Sequence, residues 1–260
     1  MSTRGPFRPN ASLDDTNLNA FAHLVLRKLD VAPPLEHANR ISEASEWLLS
    51  ACLASDPFDA DAVARDLTSR RISPTDIVDI CIPNVARQSG QMWVDDTASF
   101  VQVTLVGARL HALCKLLDEE WEPRPRFSDC LSVMVATVPD EQHMLGSVVL
   151  TAQLRRMGHS VQLSSGVSQS EIISRIDRGQ FDAVLLSCSG TDALATAGHV
   201  VAEIRRNIEK PPRLIVGGAI HESVGGDLKV AGADVTTSSI EVALKGLGTE
   251  PGRENLLVAQ

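Results

Sequence analysis

A histidine and an acid stand where a predicted buried strand gives way to a helix. His143 lies two residues after Glu141 and three residues before Gly146. An imidazole at a loop tip can ligate a metal, and an acceptor on its second nitrogen fixes the ring and raises its basicity. An isolated histidine here is more often a helix-entry residue satisfied by backbone. Its role therefore depends on what the fold brings beside it.

Two further groups of small residues follow later strands. The segment Ser187-Cys188-Ser189-Gly190 ends one predicted strand, and Gly217-Gly218 ends the next. A serine at a strand end is usually a helix cap, and a glycine pair is usually a turn. Neither group alone indicates a site. They become informative only if the predicted fold brings both groups close to His143.

The second half of the chain predicts an open parallel α/β sheet. Short apolar runs suited to strands covered on both faces alternate with segments of helical periodicity. The strands are predicted at 131–138, 160–165, 181–188, 213–218 and 233–238, and the helices at 143–158, 169–179, 191–208, 221–232 and 240–247. We expect the flavodoxin-like strand order, in which ligands bind beyond the carboxyl ends of the strands. The loops carrying His143, Ser187 and Gly217 then meet at one edge.

The first half predicts a helical bundle. Apolar residues at three- and four-residue spacing indicate helices at 17–29, 36–53, 59–70, 73–94 and 97–121, with helix starts at Asp59 and at Ser73-Pro74. The predicted organisation is a disordered lead (1–12), a helical bundle (13–121), a linker (122–130), the α/β domain (131–248) and a tail (249–260).

These motifs resemble the cobalamin-binding domain found in methionine synthase, in adenosylcobalamin mutases and in light-sensing regulators. That family has Asp-x-His-x-x-Gly, then a serine about 40 residues later and a Gly-Gly about 30 after that. The segment Glu141–Gly146, then Ser187 and then Gly217-Gly218 match this order at similar spacing. Together with the bundle, the chain is most similar to the AerR/PpaA type of antirepressor, which acts on a DNA-binding repressor of photosynthesis genes in purple bacteria.

The resemblance implies a role for each residue of the first loop. His143 would bind cobalt in place of the vitamin's own benzimidazole, and Glu141, where the family usually has Asp, would anchor its ring. Gly146 would let the helix pass close beneath the macrocycle.

It also implies roles for the later loops. Ser187 would hydrogen-bond the displaced benzimidazole, and Gly217 and Gly218 would open a slot for the nucleotide tail. Ser189 stands where the family often has an apolar residue.

The resemblance extends to the upper face of the corrin. Trp93 corresponds to a tryptophan that covers this face in the helical light sensors; its alternative role is packing in the bundle core. The Glu-His pair that guards an adenosyl group in those sensors corresponds to Val103-Thr104. The resemblance implies cobalamin as the cofactor, in the hydroxo or the adenosyl form, and the Val103-Thr104 mismatch disfavours a strongly held adenosyl group.

Composition limits the partners. The net charge of −9 and the 3% aromatic content disfavour direct binding of nucleic acid, so transcriptional control would pass through a repressor of the CrtJ/PpsR type. No apolar run is expected to cross a membrane, and the amino-terminal segment does not resemble a signal peptide, so we expect a cytoplasmic protein.

The five scattered cysteines are expected to be mostly buried, reduced thiols. Arginine doublets such as Arg155-Arg156 are expected at solvated helix ends.

Three functions remain open from the sequence. The first is a regulator without enzymatic activity, because the barrel that holds substrate in the mutases is missing. The second is a corrinoid methyl carrier for separate methyltransferases. The third is a haem sensor, ranked lower because Gly217-Gly218 would suit a nucleotide tail, which haem lacks.

Overall fold

The protein is described here from a computed structural model covering residues 34–119, 130–221, 228–245 and 247. The predicted lead at 1–12, the helix at 17–29, most of the linker at 122–130 and the tail at 249–260 lie outside the described residues.

The first described half consists of helices, as the periodicity predicts. They are α1 (Pro34–Leu53), α2 (Ala60–Ser69), α3 (74–94) and α4 (Phe100–Glu119). The Asp59 side chain accepts from the amides of Asp61 and Ala62, and the Ser73 hydroxyl accepts from that of Asp76. Both predicted helix starts are therefore confirmed.

Helix α3 is interrupted by a π-helical turn. Its parts are Pro74–Asp76, the π turn Ile77–Cys81 and Ile82–Val94, and the amide of Ile82 bonds to the carbonyl of Ile77. Pro83 follows directly and has no amide hydrogen to complete the α-helical ladder. The extra residue in the turn accommodates this proline, a feature that the predicted continuous helix did not include.

The second half is a five-stranded parallel sheet in the order β2-β1-β3-β4-β5, which confirms the predicted topology. The strands are β1 (Ser132–Thr137), β2 (Ser160–Ser164), β3 (Ala183–Ser187), β4 (Arg213–Gly217) and β5 (Val235–Thr236). The helices are α5 (Leu145–Arg156), α6 (Gln169–Arg178), α7 (Thr191–Asn207) and α8 (Ile240–Leu244). In the predicted helix at 221–232, residues 228–232 are not helical, and residues 222–227 lie outside the described part.

Helix α5 joins the two halves of the molecule. Val148, Val149 and Ala152 belong to the apolar core of the bundle. Leu150 and Leu154, on another face of α5, pack with the residues of β1, β3 and β4 that point to this side of the sheet. The helix that follows the His143 loop is therefore held by both halves.

Helix α4 is long and apolar enough to cross a bilayer by length and composition, which the sequence analysis did not anticipate. Its buried residues Val106, Leu110, Leu113, Cys114 and Leu117 form part of the bundle core. Such packing is typical of a core helix in a folded domain.

The thiols behave as expected. All five cysteines are free; Cys52, Cys81, Cys114 and Cys188 are buried, and Cys130 is partly exposed. Burial raises the pKa of Cys52 and of Cys114 to about 12.

Candidate functional site

Parallel register brings the predicted loops to one edge of the sheet. Thr137 at the end of β1 pairs with Ser187 at the end of β3, and Ser187 pairs with Gly217 at the end of β4. The loops after these three strands therefore start side by side. This edge also contains the reversal of strand order between β1 and β3, where α/β proteins bind ligands.

Glu141 is the centre of the site. Its side chain is only 3% exposed, and its two oxygens accept four hydrogen bonds. Oε1 accepts from the His143 amide at 2.8 Å and lies 2.8 Å from His143 Nδ1. Oε2 accepts from the Ser189 amide at 2.8 Å and from the Ser189 hydroxyl at 2.7 Å. One carboxylate thus ties the loop after β1 to the loop after β3.

These bonds keep Glu141 ionised. Burial is the largest single influence and raises the pKa of its carboxyl group. The bonds from Ser189 and His143 together outweigh burial and lower the pKa to about 2. The site therefore carries a fixed negative charge across the physiological pH range.

The hydrogen bonds of His143 show which of its ring nitrogens carries the proton. An ionised carboxylate only accepts hydrogen bonds, so Nδ1 must carry the proton that it shares with Glu141. In the neutral ring, Nε2 then carries a lone pair, and it has no hydrogen-bond partner in the part of the chain that the structure describes. The side chain is 78% exposed. His143 is therefore an oriented, accessible nitrogen ligand.

Ser189 also contacts the imidazole. Its hydroxyl lies 2.9 Å from His143 Nδ1 as well as 2.7 Å from Glu141 Oε2. We call Glu141, His143 and Ser189 the ligand network. The family often has an apolar residue at the position of Ser189. In the structure this serine supplies two of the four hydrogen bonds that Glu141 accepts.

A cavity of about 390 Å³ opens beside the ligand network. One wall is the loop from Pro139 to His143; the other runs from Ser189 through the first two turns of α7 and includes Thr191 and Thr196. The sequence analysis missed the α7 wall. The only available signal was its position directly after Ser189-Gly190, at the start of a predicted helix.

The glycine pair has a structural reason of its own. A Cβ on Gly217 would lie 2.3 Å from the Thr237 carbonyl oxygen, and one on Gly218 would lie 2.4 Å from that of Cys188. Gly218 also has a φ of +116°, which favours glycine. Close approach of the loop backbones requires both glycines, and their predicted role in holding a nucleotide tail stays a prediction.

The remaining predicted residues are more dispersed. Gly146 is exposed in the first turn of α5, where a Cβ would meet open space, which leaves room for a bulky group beside His143. Ser187 is half-buried at the end of β3. Trp93, at the end of α3, is 54% exposed, packs edge-to-face against Phe100 at 6.4 Å, and does not line the cavity. It is therefore not a residue of the bundle core.

The donor set suits a metal that arrives within a macrocycle. In the described ranges no cluster of three or more histidine, cysteine, aspartate or glutamate side chains could hold a metal ion. A single imidazole cannot retain a bare ion, but it can serve as an axial ligand to a metal whose other positions are already filled. Open space at Gly146 and the exposed Nε2 of His143 fit that arrangement.

Comparison with known proteins identifies the class. Residues 131–247 match the family model of the B12 binding domain. The resemblance found in the sequence is thereby confirmed, and the match favours a corrinoid over haem.

The chain also resembles individual proteins. It is 29% identical over 167 residues to an uncharacterized 20.5 kDa protein in the bchF-crtJ intergenic region of Rhodobacter capsulatus, covering 63% of this chain and 85% of the relative. The monomethylamine corrinoid protein of Methanosarcina barkeri has a similar structure, with a TM-score of 0.59 and 13% identity over 76% of this chain and 91% of that chain. At that identity the likeness shows a shared fold.

Proposed function

We propose that this chain is a cobalamin-dependent transcriptional regulator, an antirepressor that responds to light and has no catalytic turnover. The observation that carries the proposal is the ligand network in a B12 binding domain: Glu141 and Ser189 orient His143 so that Nε2 is free to bind a metal. Cobalamin supplies a cobalt whose axial bonds are sensitive to light and to exchange of ligands. His143 would hold the cobalt, with Glu141 and Ser189 fixing the orientation of its ring.

The regulatory part of the proposal has two supports. The relative from Rhodobacter capsulatus is named for the bchF-crtJ intergenic region, and the sequence resembles antirepressors that act on repressors of the CrtJ/PpsR type. The net charge of −9 makes direct control of DNA unfavourable, because binding to phosphates requires basic side chains. We therefore propose contact with a repressor protein.

Absorption spectra test the binding site. The purified chain, reconstituted in the dark with hydroxocobalamin or adenosylcobalamin, should show a spectrum of histidine-ligated cobalamin that changes on illumination. His143→Ala should remove the histidine-ligated spectrum and leave weaker binding. His199→Ala, on α7 and outside the cavity lining, is the matched control and should behave as the wild type. Equal spectra of His143→Ala and the wild type would refute the assignment of the ligand.

A second experiment tests the regulatory role. A CrtJ/PpsR-type repressor bound to its operator should be released by the illuminated holoprotein and not by the holoprotein kept in the dark. The holoprotein alone should leave the operator fragment unshifted at physiological salt. Specific binding of the operator by this chain alone would contradict the proposed route through a partner.

A corrinoid methyl carrier is the second candidate, and the structural likeness to the Methanosarcina barkeri corrinoid protein favours it. Both functions use the same imidazole and the same domain. The test is whether the reduced holoprotein accepts a methyl group from a methyltransferase and its methylated substrate. Transfer at a catalytically useful rate would favour the carrier function over the regulatory one.

A further inference from the structure

The cavity beside the ligand network has acidic walls. Among the residues that the structure describes, its lining contains three acids and neither lysine nor arginine. Asp140 and Glu141 lie on the wall that carries His143, and Asp192 lies on the α7 wall. A macrocycle held at His143 would therefore meet negative charge on two sides.

Two of these acids are not neutralised by a neighbour. Within the described ranges, neither the Asp140 carboxylate nor that of Asp192 takes part in an ion pair or a side-chain hydrogen bond. The nearby Thr196 hydroxyl donates at 3.0 Å to the backbone carbonyl of Asp192 and not to its carboxylate. Both carboxylates are exposed at the cavity and keep their acceptor positions for a ligand.

The α7 wall also supplies hydrogen-bond donors. Helix α7 begins at Thr191, and its N-cap, Gly190, has no side chain to bond the free amides of the first turn. The amino end of a helix attracts negative charge, and Asp192 in the first turn offsets this attraction. The wall therefore presents amide donors beside a carboxylate acceptor, without a net positive charge.

A primary amide matches such walls better than a carboxylate does. It carries no charge, its carbonyl accepts hydrogen bonds and its N–H groups donate them. An ionised carboxylate has no donor, and the three acids of the lining would repel it. Repulsion between two unit charges at about 4 Å in water weakens binding by a factor of about 5, and by more where the ligand displaces water.

We propose that this cavity accepts a macrocycle whose periphery carries amides and rejects one whose periphery carries carboxylates, with Asp140 and Asp192 as the residues that discriminate. The inference rests on the proposed binding of a corrinoid at His143 and names the chemical class of corrinoid that this site takes. An amidated corrinoid is thereby separated from precursors that still carry carboxylates. Haem, whose propionates are carboxylates, is disfavoured for the same reason.

Absorption titrations with two corrinoids test this charge selection. Aquocobinamide carries amides where aquocobyrinic acid carries carboxylates, and neither compound has a nucleotide arm. The wild type should bind aquocobinamide at least about tenfold more tightly at low salt. This preference should decrease as salt is added, because salt screens the repulsion between exposed charges.

Two substitutions identify the residues responsible. Asp140→Asn and Asp192→Asn each remove one charge and keep a hydrogen-bond acceptor. Asparagine also tolerates the φ of +65° found at Asp140. Each variant should bind aquocobyrinic acid about fivefold more tightly than the wild type does, and should change its affinity for aquocobinamide less than about twofold. Such a gain of affinity cannot result from misfolding.

Asp177→Asn is the matched control. It removes the same charge from an exposed position on α6, outside the cavity lining. This variant should bind both corrinoids as the wild type does. A gain of affinity for aquocobyrinic acid equal to that of the cavity variants would overturn the inference, because the net charge of the chain would then explain the preference.

The remaining outcomes separate the inference from the proposed function. Equal affinity of the wild type for the two corrinoids at low salt overturns the inference. A preference that persists unchanged in both cavity variants also overturns it, because these acids would then not discriminate. A wild type that binds neither aquocobalamin nor aquocobinamide refutes the proposed function itself.

Discussion

Ser189 donates two hydrogen bonds to one oxygen of Glu141, from its amide at 2.8 Å and from its hydroxyl at 2.7 Å. The other oxygen of Glu141 holds His143. A residue after the third strand thereby fixes the acid that orients a ligand after the first strand. The orientation of His143 therefore depends on both loops and on the sheet that aligns them.

Removing the Ser189 hydroxyl should weaken this arrangement without destroying it. In Ser189→Ala the amide still donates to Glu141, so the network keeps three of its four bonds. We expect a loss of about 1 kcal/mol in the free energy of unfolding and a weaker affinity for cobalamin by a factor of about 5. Urea unfolding and absorption titration measure the two effects. Ser189→Thr, which keeps the hydroxyl, should restore the affinity; continued weak binding would show that the hydroxyl is not the cause.

Replacing Glu141 by aspartate, the residue more usual in the family, should break the hydrogen-bonded link between the loop after β1 and the loop after β3. The shorter side chain cannot reach both His143 and Ser189 while the backbone stays in place. We expect Glu141→Asp to lose about 1–2 kcal/mol of stability, because a bond is lost and a partly buried donor on Ser189 is left unpaired. The histidine-ligated spectrum should persist. Glu171→Asp, at an exposed ion pair with Arg175, should change neither property. A fully stable Glu141→Asp variant would contradict the bridging role.

The sequence predicted the sheet, and the meeting of the loops that carry His143 and Ser189 at one edge, because both follow from local signals. Apolar runs specify β1, β3 and β4, and parallel strands of known order bring His143 and Ser189 to one edge. The identity of Ser189 as a bridge could not be predicted, because the reach of Glu141 across two loops depends on their three-dimensional spacing. The collisions behind Gly217 and Gly218 likewise involve backbone that is distant in sequence.

Interfaces between the halves were less predictable than the halves themselves. Arg156 was expected at a solvated helix end, but its side chain is only 14% exposed and pairs with Asp79 in the π turn of α3. Periodicity identifies which face of a helix is apolar, and it does not show that a second face of α5 will be covered by another helical layer. Arg156 was therefore assigned to solvent because its partner lies 77 residues away.

Trp93→Ala should affect the cofactor more than the fold. The ring is half exposed and has an edge-to-face contact with Phe100, so its removal should cost less than about 1 kcal/mol of apoprotein stability. If Trp93 covers the corrin, ligand exchange at the upper face should become several-fold faster while His143 stays on cobalt. Stopped-flow cyanide exchange measures this rate. Trp47→Ala, whose ring packs on the bundle core and under Arg70, should instead lower stability and leave exchange unchanged.

Burial should make four of the five thiols unreactive in the folded protein at pH 8. Burial raises the pKa of Cys52 and Cys114 to about 12 and, together with the nearby charge of Glu141, raises that of Cys188 to about 11. At pH 8 only Cys130 should react rapidly with a thiol reagent, and the other four should react after unfolding in denaturant.

The same shifts set the pH dependence of stability. The folded-state pKa values lie above the ordinary value of 9.0, so the unfolded chain releases these protons first as the pH rises. The thiol contribution to stability is complete below about pH 9 and is lost above it. Urea midpoints that stay constant between pH 8 and pH 10.5 would contradict this account.

The contact between Asp79 and α5 should stabilise the docking of the bundle on the α/β domain. Asp79 pairs with the mostly buried Arg156 and also accepts from Gln153 Nε2 at 3.1 Å. Asp79→Ala removes the acceptor and leaves a mostly buried arginine with less compensation, so we expect a loss of about 2 kcal/mol in the free energy of unfolding. Asp61→Ala, which breaks the exposed pair with Arg65, should cost less than about 0.5 kcal/mol. Equal urea midpoints for the two variants would show that the Asp79 contact does not join the two halves. The spectrum of bound cobalamin should be the same in both, because neither aspartate contacts the ligand network.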